Sequence, residues 1–280
     1  MMRFLKFFVM IFYFLAVMLS FGETEVPLKK AESLITELKF YEAMIALEPL
    51  LMSREKSQAQ EQALWIANTL GVEVAENITA EQDALRVYPD YGSISDDDPR
   101  SQGLRKKRKA VDRLGADIHY NEMAGAYFYR YGFLERLLAL YPKSRWAPIA
   151  EYYLIHKNRP LEAVDVEKTI PVLLAYVKKH TNSGYFEVSM AYYDIARLYH
   201  GIWADLAYPE LSPGVGSYTI GDAANKEGAA IYKTEALKYY AKFIVSDYQE
   251  TRWRTQEMVR QAYQDLKYEK NVDQYFLYYD

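Results

Sequence analysis

From Leu28 onward the apolar residues fall at helical spacing. Leu34, Leu38, Tyr41, Met44 and Ile45 share one face, and Leu47, Leu50 and Leu51 continue it, a pattern that predicts helical turns leading into a hairpin. Within residues 39–51 the small Ala43 and Ala46 stand between larger apolar side chains, which lets a neighbouring helix approach closely. Residues 59–70 continue as an amphipathic partner helix, with Gly71 as the expected stop. Periodicity fails over residues 88–103, where Pro89, Gly92, Pro99 and Gly103 surround Asp96, Asp97 and Asp98. That stretch reads as an irregular acidic loop. A second irregular stretch, 208–228, carries Pro209, Pro213, Gly214, Gly216, Gly221 and Gly228, and insertions of this length are often functional.

The longest apolar run is at the start. Arg3 and Lys6 precede an uninterrupted run over residues 7–21, which ends in Ser20-Phe21-Gly22 before the acidic Glu23-Thr24-Glu25. A charged n-region, an h-region and small residues at the third and first places before a cut form a secretory signal peptide. Residues 1–22 are therefore the expected leader, cleaved near Gly22, and the expected location is periplasmic or secreted. A retained N-terminal membrane anchor is the alternative, suggested by bulky Phe21; the 15 apolar residues are fewer than the roughly 20 of a spanning helix.

An internal repeat organises the second half. Tyr141-Pro142-Lys143-Ser144-Arg145-Trp146 and Tyr248-Gln249-Glu250-Thr251-Arg252-Trp253 match as Tyr-x-x-(Ser/Thr)-Arg-Trp, and each follows an apolar helical run. A weaker third copy places Ser183 where Ser144 stands and Tyr185 where Trp146 stands. Thr251 follows Ser183 by 68 residues, twice the 34 of one tetratricopeptide unit. With Ala236-Leu237-Lys238-Tyr239-Tyr240-Ala241-Lys242-Phe243, the Tyr-Pro-Lys-Ser turn and residues 147–154, the chain resembles the tetratricopeptide superfamily. In particular it resembles the divergent repeats of bacterial envelope proteins such as outer-membrane assembly lipoproteins and the Tol-Pal coordinator of cell division. Gln249 replaces the turn proline, and there is no cysteine to carry a lipid. The resemblance implies an all-α fold, a stack of helical hairpins forming an α-solenoid, that binds other molecules. It also implies that Ser144 or Thr251 caps the next helix, as a hydroxyl accepting from first-turn amides does. The expected organisation is N-terminal hairpins over 23–87, the loop at 88–103, and a tetratricopeptide-like domain over 104–280 with its insertion at 208–228.

Composition narrows the function. Half of the 280 residues are hydrophobic and 26% are charged, which suits a folded chain. Net charge is −4 and becomes −6 once Arg3 and Lys6 leave with the leader, so nucleic acid is not an expected partner. The absence of cysteine removes disulfides, thiolate metal sites and thiol nucleophiles. Four histidines, His119, His156, His180 and His200, form no His-Glu-x-x-His arrangement, so neither a metal nor a cofactor is expected. Asp90, Ser93 and residues 95–98 lack the spacing of an EF-hand loop. No phosphate loop or nucleophile elbow is present, and the chain is expected not to be an enzyme. The basic run from Arg105 to Lys109 reads as a solvated helix start, with anionic lipid or nucleic acid as the functional alternative, the latter disfavoured by export.

Tyrosine is the outlier, at 27 residues, with clusters that hold more rings than one helix face buries. Exposed Tyr and Arg are what protein interfaces enrich. The expected function is that of an exported, non-catalytic scaffold or adaptor of the cell envelope that grips a protein or peptide segment in a concave groove. Tyr153, Tyr192, Tyr193, Arg197 and Arg260 are the candidate contacts. The alternative is a cell-wall glycan-binding or enzyme-associated helical domain, in which the rings stack on sugars.

Overall fold

The computed structural model describes residues 26–85, 99–157, 166–181, 183–208, 226–246 and 253–271. The expected leader, the core of the acidic loop and most of the 208–228 insertion lie outside these residues. Among them are eleven α-helices, one 3-10 turn and one β-hairpin, so the helical class predicted by the periodicity is what forms. No helix is long and apolar enough to cross a membrane among the described residues. The chain makes two compact units, Met1–Leu140 and Tyr141–Asp280.

In the first unit, α1 (Val26–Thr36) packs on α2 (Phe40–Ala46), and α2 and α3 (Glu48–Leu51) pack on the long α4 (Gln58–Leu85). Of the predicted face Met44, Leu47, Leu50 and Leu51 are buried and Leu34, Tyr41 and Ile45 only half-buried, while Leu28, Ala31, Ile35 and Ala43, which that face did not include, complete the core. Leu38 is the exception. It takes a positive φ of 61° and is 56% exposed, because the chain reverses there to bring α2 back onto α1. The Leu38 amide donates to the Ile35 carbonyl and the Lys39 amide to that of Leu34, the left-handed closure usually made by glycine.

Gly71 does not stop a helix; α4 runs through it. Buried Ala63, Leu64, Ala67, Leu70, Val74, Ala75 and Ile78 keep helical spacing on both sides, and burial of that stripe outweighs the roughly 1 kcal/mol propensity cost of one glycine. The reason for glycine is space: a Cβ at Gly71 would stand 2.6 Å from a ring carbon of Tyr129. Tyr129 arrives on the hairpin of β1 (Ile118–Asn121) and β2 (Ala126–Tyr129), which pair antiparallel with Ile118 opposite Tyr129 and His119 opposite Phe128. Strand alternation turns Ile118, Tyr127 and Tyr129 inward and leaves His119 and Phe128 exposed. The Tyr127 amide donates to the Thr79 hydroxyl on α4 at 2.8 Å.

A 3-10 turn (Pro99–Ser101) leads into α5 (Gln102–Leu114), so the predicted loop is already helical at 102–103. The basic run on α5 is partly structural. Lys107 pairs with Glu81, Arg108 donates to the Tyr127 hydroxyl at 3.1 Å, and Arg113 reaches Glu48 at 2.6 Å. The helix closes at Gly115, φ 91°, with the hydrogen-bond pattern seen at Leu38. Helix α6 (Gly132–Leu140) buries Phe133, Leu134 and Leu137 and packs on α4.

The second unit contains α7 (Ala147–Ile155), α8 (Val166–His180), α9 (Phe186–Ala207), α10 (Lys226–Val245) and α11 (Trp253–Tyr268). Helix α9 is central: α7, α8 and α10 all pack on it, and α11 packs on α10. Its buried residues, among them Val188, Ala191, Ile195, Ala196, Leu198, Ile202 and Ala204, cover most of its circumference, as they must in a helix enclosed by neighbours. The Ser144 hydroxyl accepts from the Trp146 amide at 3.1 Å, one residue before α7 begins. The first and third copies of the repeat turn also meet, where the Tyr185 hydroxyl donates to the Arg145 carbonyl at 2.7 Å. Thr251 lies outside the described residues.

Candidate functional site

Helices α9 and α10 run antiparallel, and their tyrosines recur at seven-residue intervals: Tyr192 and Tyr199 on one, Tyr232 and Tyr239 on the other. Seven residues is two helical turns, so each pair lies along one stripe of its helix. The stripes interleave. Tyr232 meets Tyr199, Tyr199 meets Tyr239, and Tyr239 meets Tyr192, with ring centroids 6.2 Å apart at every step. Interplanar angles of 36°, 29° and 34° make this a continuous row of offset rings, the favoured aromatic packing.

Two lysines of α10 lie over the row. The Lys242 ammonium is 4.9 Å from the Tyr239 centroid and 5.4 Å from that of Tyr192. Lys238 is 5.2 Å above Tyr239 and pairs with Glu235 at 2.8 Å. Lys242 has no carboxylate partner among the described residues. Burial raises the hydroxyl pKa of Tyr199 and Tyr239, with Glu235 adding to the rise and Lys238 opposing it. Tyr199 and Tyr239 therefore stay protonated and offer hydrogen-bond donors.

Those donors are unclaimed among the described residues. Elsewhere the buried tyrosine hydroxyls are engaged: Tyr152 donates to Asp194, Tyr176 to the Pro148 carbonyl and Tyr129 to Asn68, while Tyr240 bonds with His200. The hydroxyls of Tyr192, Tyr199, Tyr232 and Tyr239 have no hydrogen-bond partner among the described residues and are not sealed from solvent. An interior phenol usually finds a partner; four in a row without one face outward for a ligand or for water.

The candidates from the sequence divide. Tyr192 is in the row. Tyr193, its neighbour on α9, belongs to the next stripe, where it packs on Tyr240 and Phe243 at 6.3 and 5.8 Å under the Arg197 guanidinium. Burial raises the Tyr193 pKa, with Arg197 opposing and Asp194 adding. Tyr153, on α7, lies edge-on to Tyr152. Arg260 is exposed on α11 and makes no ring or ion-pair contact with the other four among the described residues. The structure thus gathers Tyr192, Tyr193 and Arg197 on one helix and leaves Arg260 apart from them among the described residues. Tyr199, Tyr232, Tyr239 and Lys242 were missed, although the seven-residue recurrence of the tyrosines was available in the sequence.

A second polar cluster joins α7 to its neighbours. Asp194 Oδ2 accepts from the Tyr152 hydroxyl at 2.7 Å. The His156 Nε2 stands 3.1 Å from the same oxygen, off the direction of a good hydrogen bond, so that contact is electrostatic when the ring is protonated. Glu151 meets Lys179 at 2.6 Å and His180 at 2.8 Å. Burial alone would raise the Glu151 pKa, but these two hydrogen bonds bring it below the ordinary carboxylate value. No three His, Asp or Glu side chains gather to hold a metal ion among the described residues. No family model, characterised protein or solved structure matches the chain.

Proposed function

We propose that this is an exported, non-catalytic binding protein of the cell envelope, which holds a protein segment on the α9–α10 tyrosine row. The finer architecture belongs to the same reading: a tetratricopeptide-like succession of hairpins, in which α9 and α10 form one hairpin and present its open seam. Export rests on the leader at 1–22. Sequencing the N-terminus of the protein recovered from cells tests it, with a start near Glu23 expected and Met1 pointing instead to an anchor.

The observation that carries the binding role is the set of four hydroxyls unclaimed among the described residues, beside an ammonium that has no carboxylate partner among them. Interfaces use Tyr because it covers apolar area and hydrogen-bonds with few degrees of freedom to lose. Glycan recognition needs an open ring face for the sugar. Here Tyr199 and Tyr239 lie between neighbouring rings, and Lys238 and Lys242 stand over Tyr239 and Tyr192, which favours a protein over a neutral sugar.

A pull-down from the native envelope with the full chain, beside a Tyr192→Ala/Lys242→Glu variant shown by circular dichroism to be folded, tests the role. The expected result is a protein recovered by the parent and lost by the variant. Retention on purified cell-wall material with no protein recovered overturns the reading in favour of the glycan alternative.

A further inference from the structure

We infer that the partner presented to the tyrosine row is an acidic α-helix carrying a carboxylate once per turn along one face. This rests on the protein-binding reading above and adds the chemistry of the partner.

The first argument is spacing. At about 1.5 Å of rise per residue, Tyr192 and Tyr199 stand about 10.5 Å apart along α9, with Tyr239 of the partner helix between them, so successive rings advance by about 5 Å. Tyr232 extends the row by one more step beyond Tyr199. An α-helix repeats every ~5.4 Å, and residues three or four apart lie on one face. A helix laid along the seam therefore brings one side chain to each hydroxyl over about three turns. An extended strand repeats its same-face side chains every ~6.6 Å and falls out of step.

The second argument is polarity. No phenol in the row has a hydrogen-bond partner among the described residues, and a carboxylate is the acceptor that gains most from neutral donors. Lys242, above Tyr192 and Tyr239, is a cation with no carboxylate partner among the described residues. A partner carboxylate beside it forms an ion pair and keeps the ammonium on the rings. A basic partner would meet Lys238 and Lys242 head on. An apolar one would bury four hydroxyls without acceptors, at a cost for each.

The test uses two Ala-based helical peptides as probes, one with Glu once per turn on one face and a twin with Gln at those positions. Binding to the full chain is followed by fluorescence anisotropy at low and moderate salt. The Glu peptide is expected to bind about ten-fold tighter than its twin, which is the weight of one or two charge-assisted hydrogen bonds, and to lose affinity as salt rises. The Tyr192→Phe/Tyr199→Phe/Tyr232→Phe/Tyr239→Phe variant keeps every ring and is expected to lose most of that preference; Lys242→Gln is expected to lose part of it. Equal binding of the two peptides, binding of neither, or an unchanged preference in the four-Phe variant overturns the inference. If the envelope pull-down still recovers a protein through the row, the binding reading survives and only the acidic-helix chemistry falls. If the Glu peptide binds and no envelope protein is recovered, the surface chemistry stands and the envelope role falls.

Discussion

The hydroxyl of Tyr152 donates to Oδ2 of Asp194 across 2.7 Å, and Asp194 is only 7% exposed. A carboxylate this far from water persists because Tyr152 donates to it and His156 stands 3.1 Å away. Through it α7 is tied to α9, the helix that carries Tyr192 and Tyr199. Asp194→Ala leaves the Tyr152 hydroxyl without its acceptor and is expected to cost about 2–4 kcal/mol, while Asp194→Asn keeps an acceptor and costs about half as much. Urea unfolding of the two variants checks this. Equal losses would mean that the site needs volume, not an acceptor.

Gly71 supports the aromatic ring of Tyr129 in the first unit. A methyl group there would meet the ring at 2.6 Å, well inside contact distance, and the ring is held by its hydroxyl, which donates to Asn68 and accepts from the Phe133 amide. Gly71→Ala raises helix propensity, yet it is expected to destabilise by about 1–3 kcal/mol through overpacking. A lowered thermal midpoint is the predicted reading; a raised one would show that the ring moves aside freely.

Leu38 and Gly115 close their helices with the same pair of hydrogen bonds, but only Gly115 has the side chain suited to a positive φ. Leu38 is 56% exposed, so little packing is lost with it. Leu38→Gly is expected to stabilise by about 0.5–1 kcal/mol, the strain of a left-handed leucine outweighing the entropy of a flexible glycine. Chemical denaturation at two wavelengths measures it, and a loss of stability would mean that Leu38 packs more than its exposure implies.

Much of the helical fold was legible, because burial on one side of a helix imposes a period that Leu28, Ala31 and Ile35, or Leu64, Ala67 and Leu70, plainly keep. The misreadings share a cause. Gly71 resembles a helix stop until Tyr129, far along the chain, is seen to need its space. Leu38 fits an apolar face until the chain reversal takes it. The hairpin passed unnoticed because four residues per strand, mostly aromatic, alternate too briefly to separate from a helical run. At the candidate site, Tyr192 and Tyr193 drew attention as neighbours in sequence, but adjacent helical residues point about 100° apart. The row depends on which turn of α10 faces which turn of α9. Packing within the buried cluster that holds Ala191, Ala196, Ala236 and Tyr239 decides that register, and no local pattern reports it.

His200 gives the fold a pH dependence of definite sign. Its Nδ1 shares a hydrogen bond with the Tyr240 hydroxyl at 3.1 Å beside the Trp203 ring. Burial, aided by the positive charge of Lys233, pushes the imidazole down to about 3 from its ordinary 6.5. Between those values the unfolded chain takes up a proton that the folded chain refuses. The contribution to stability is therefore complete above about pH 6.5 and is lost as the pH falls, at up to about 1.4 kcal/mol per pH unit. Urea unfolding of the parent at pH 7.5 and pH 5 is expected to include a loss of about 2 kcal/mol from this residue. His200→Gln cannot take up that proton, so its stability is expected to fall by about 2 kcal/mol less over the same interval, whatever its starting value. Parallel pH profiles for the two proteins would show that His200 protonates in place, with water reaching the ring between α9 and α10 and the seam beneath the tyrosines open to solvent.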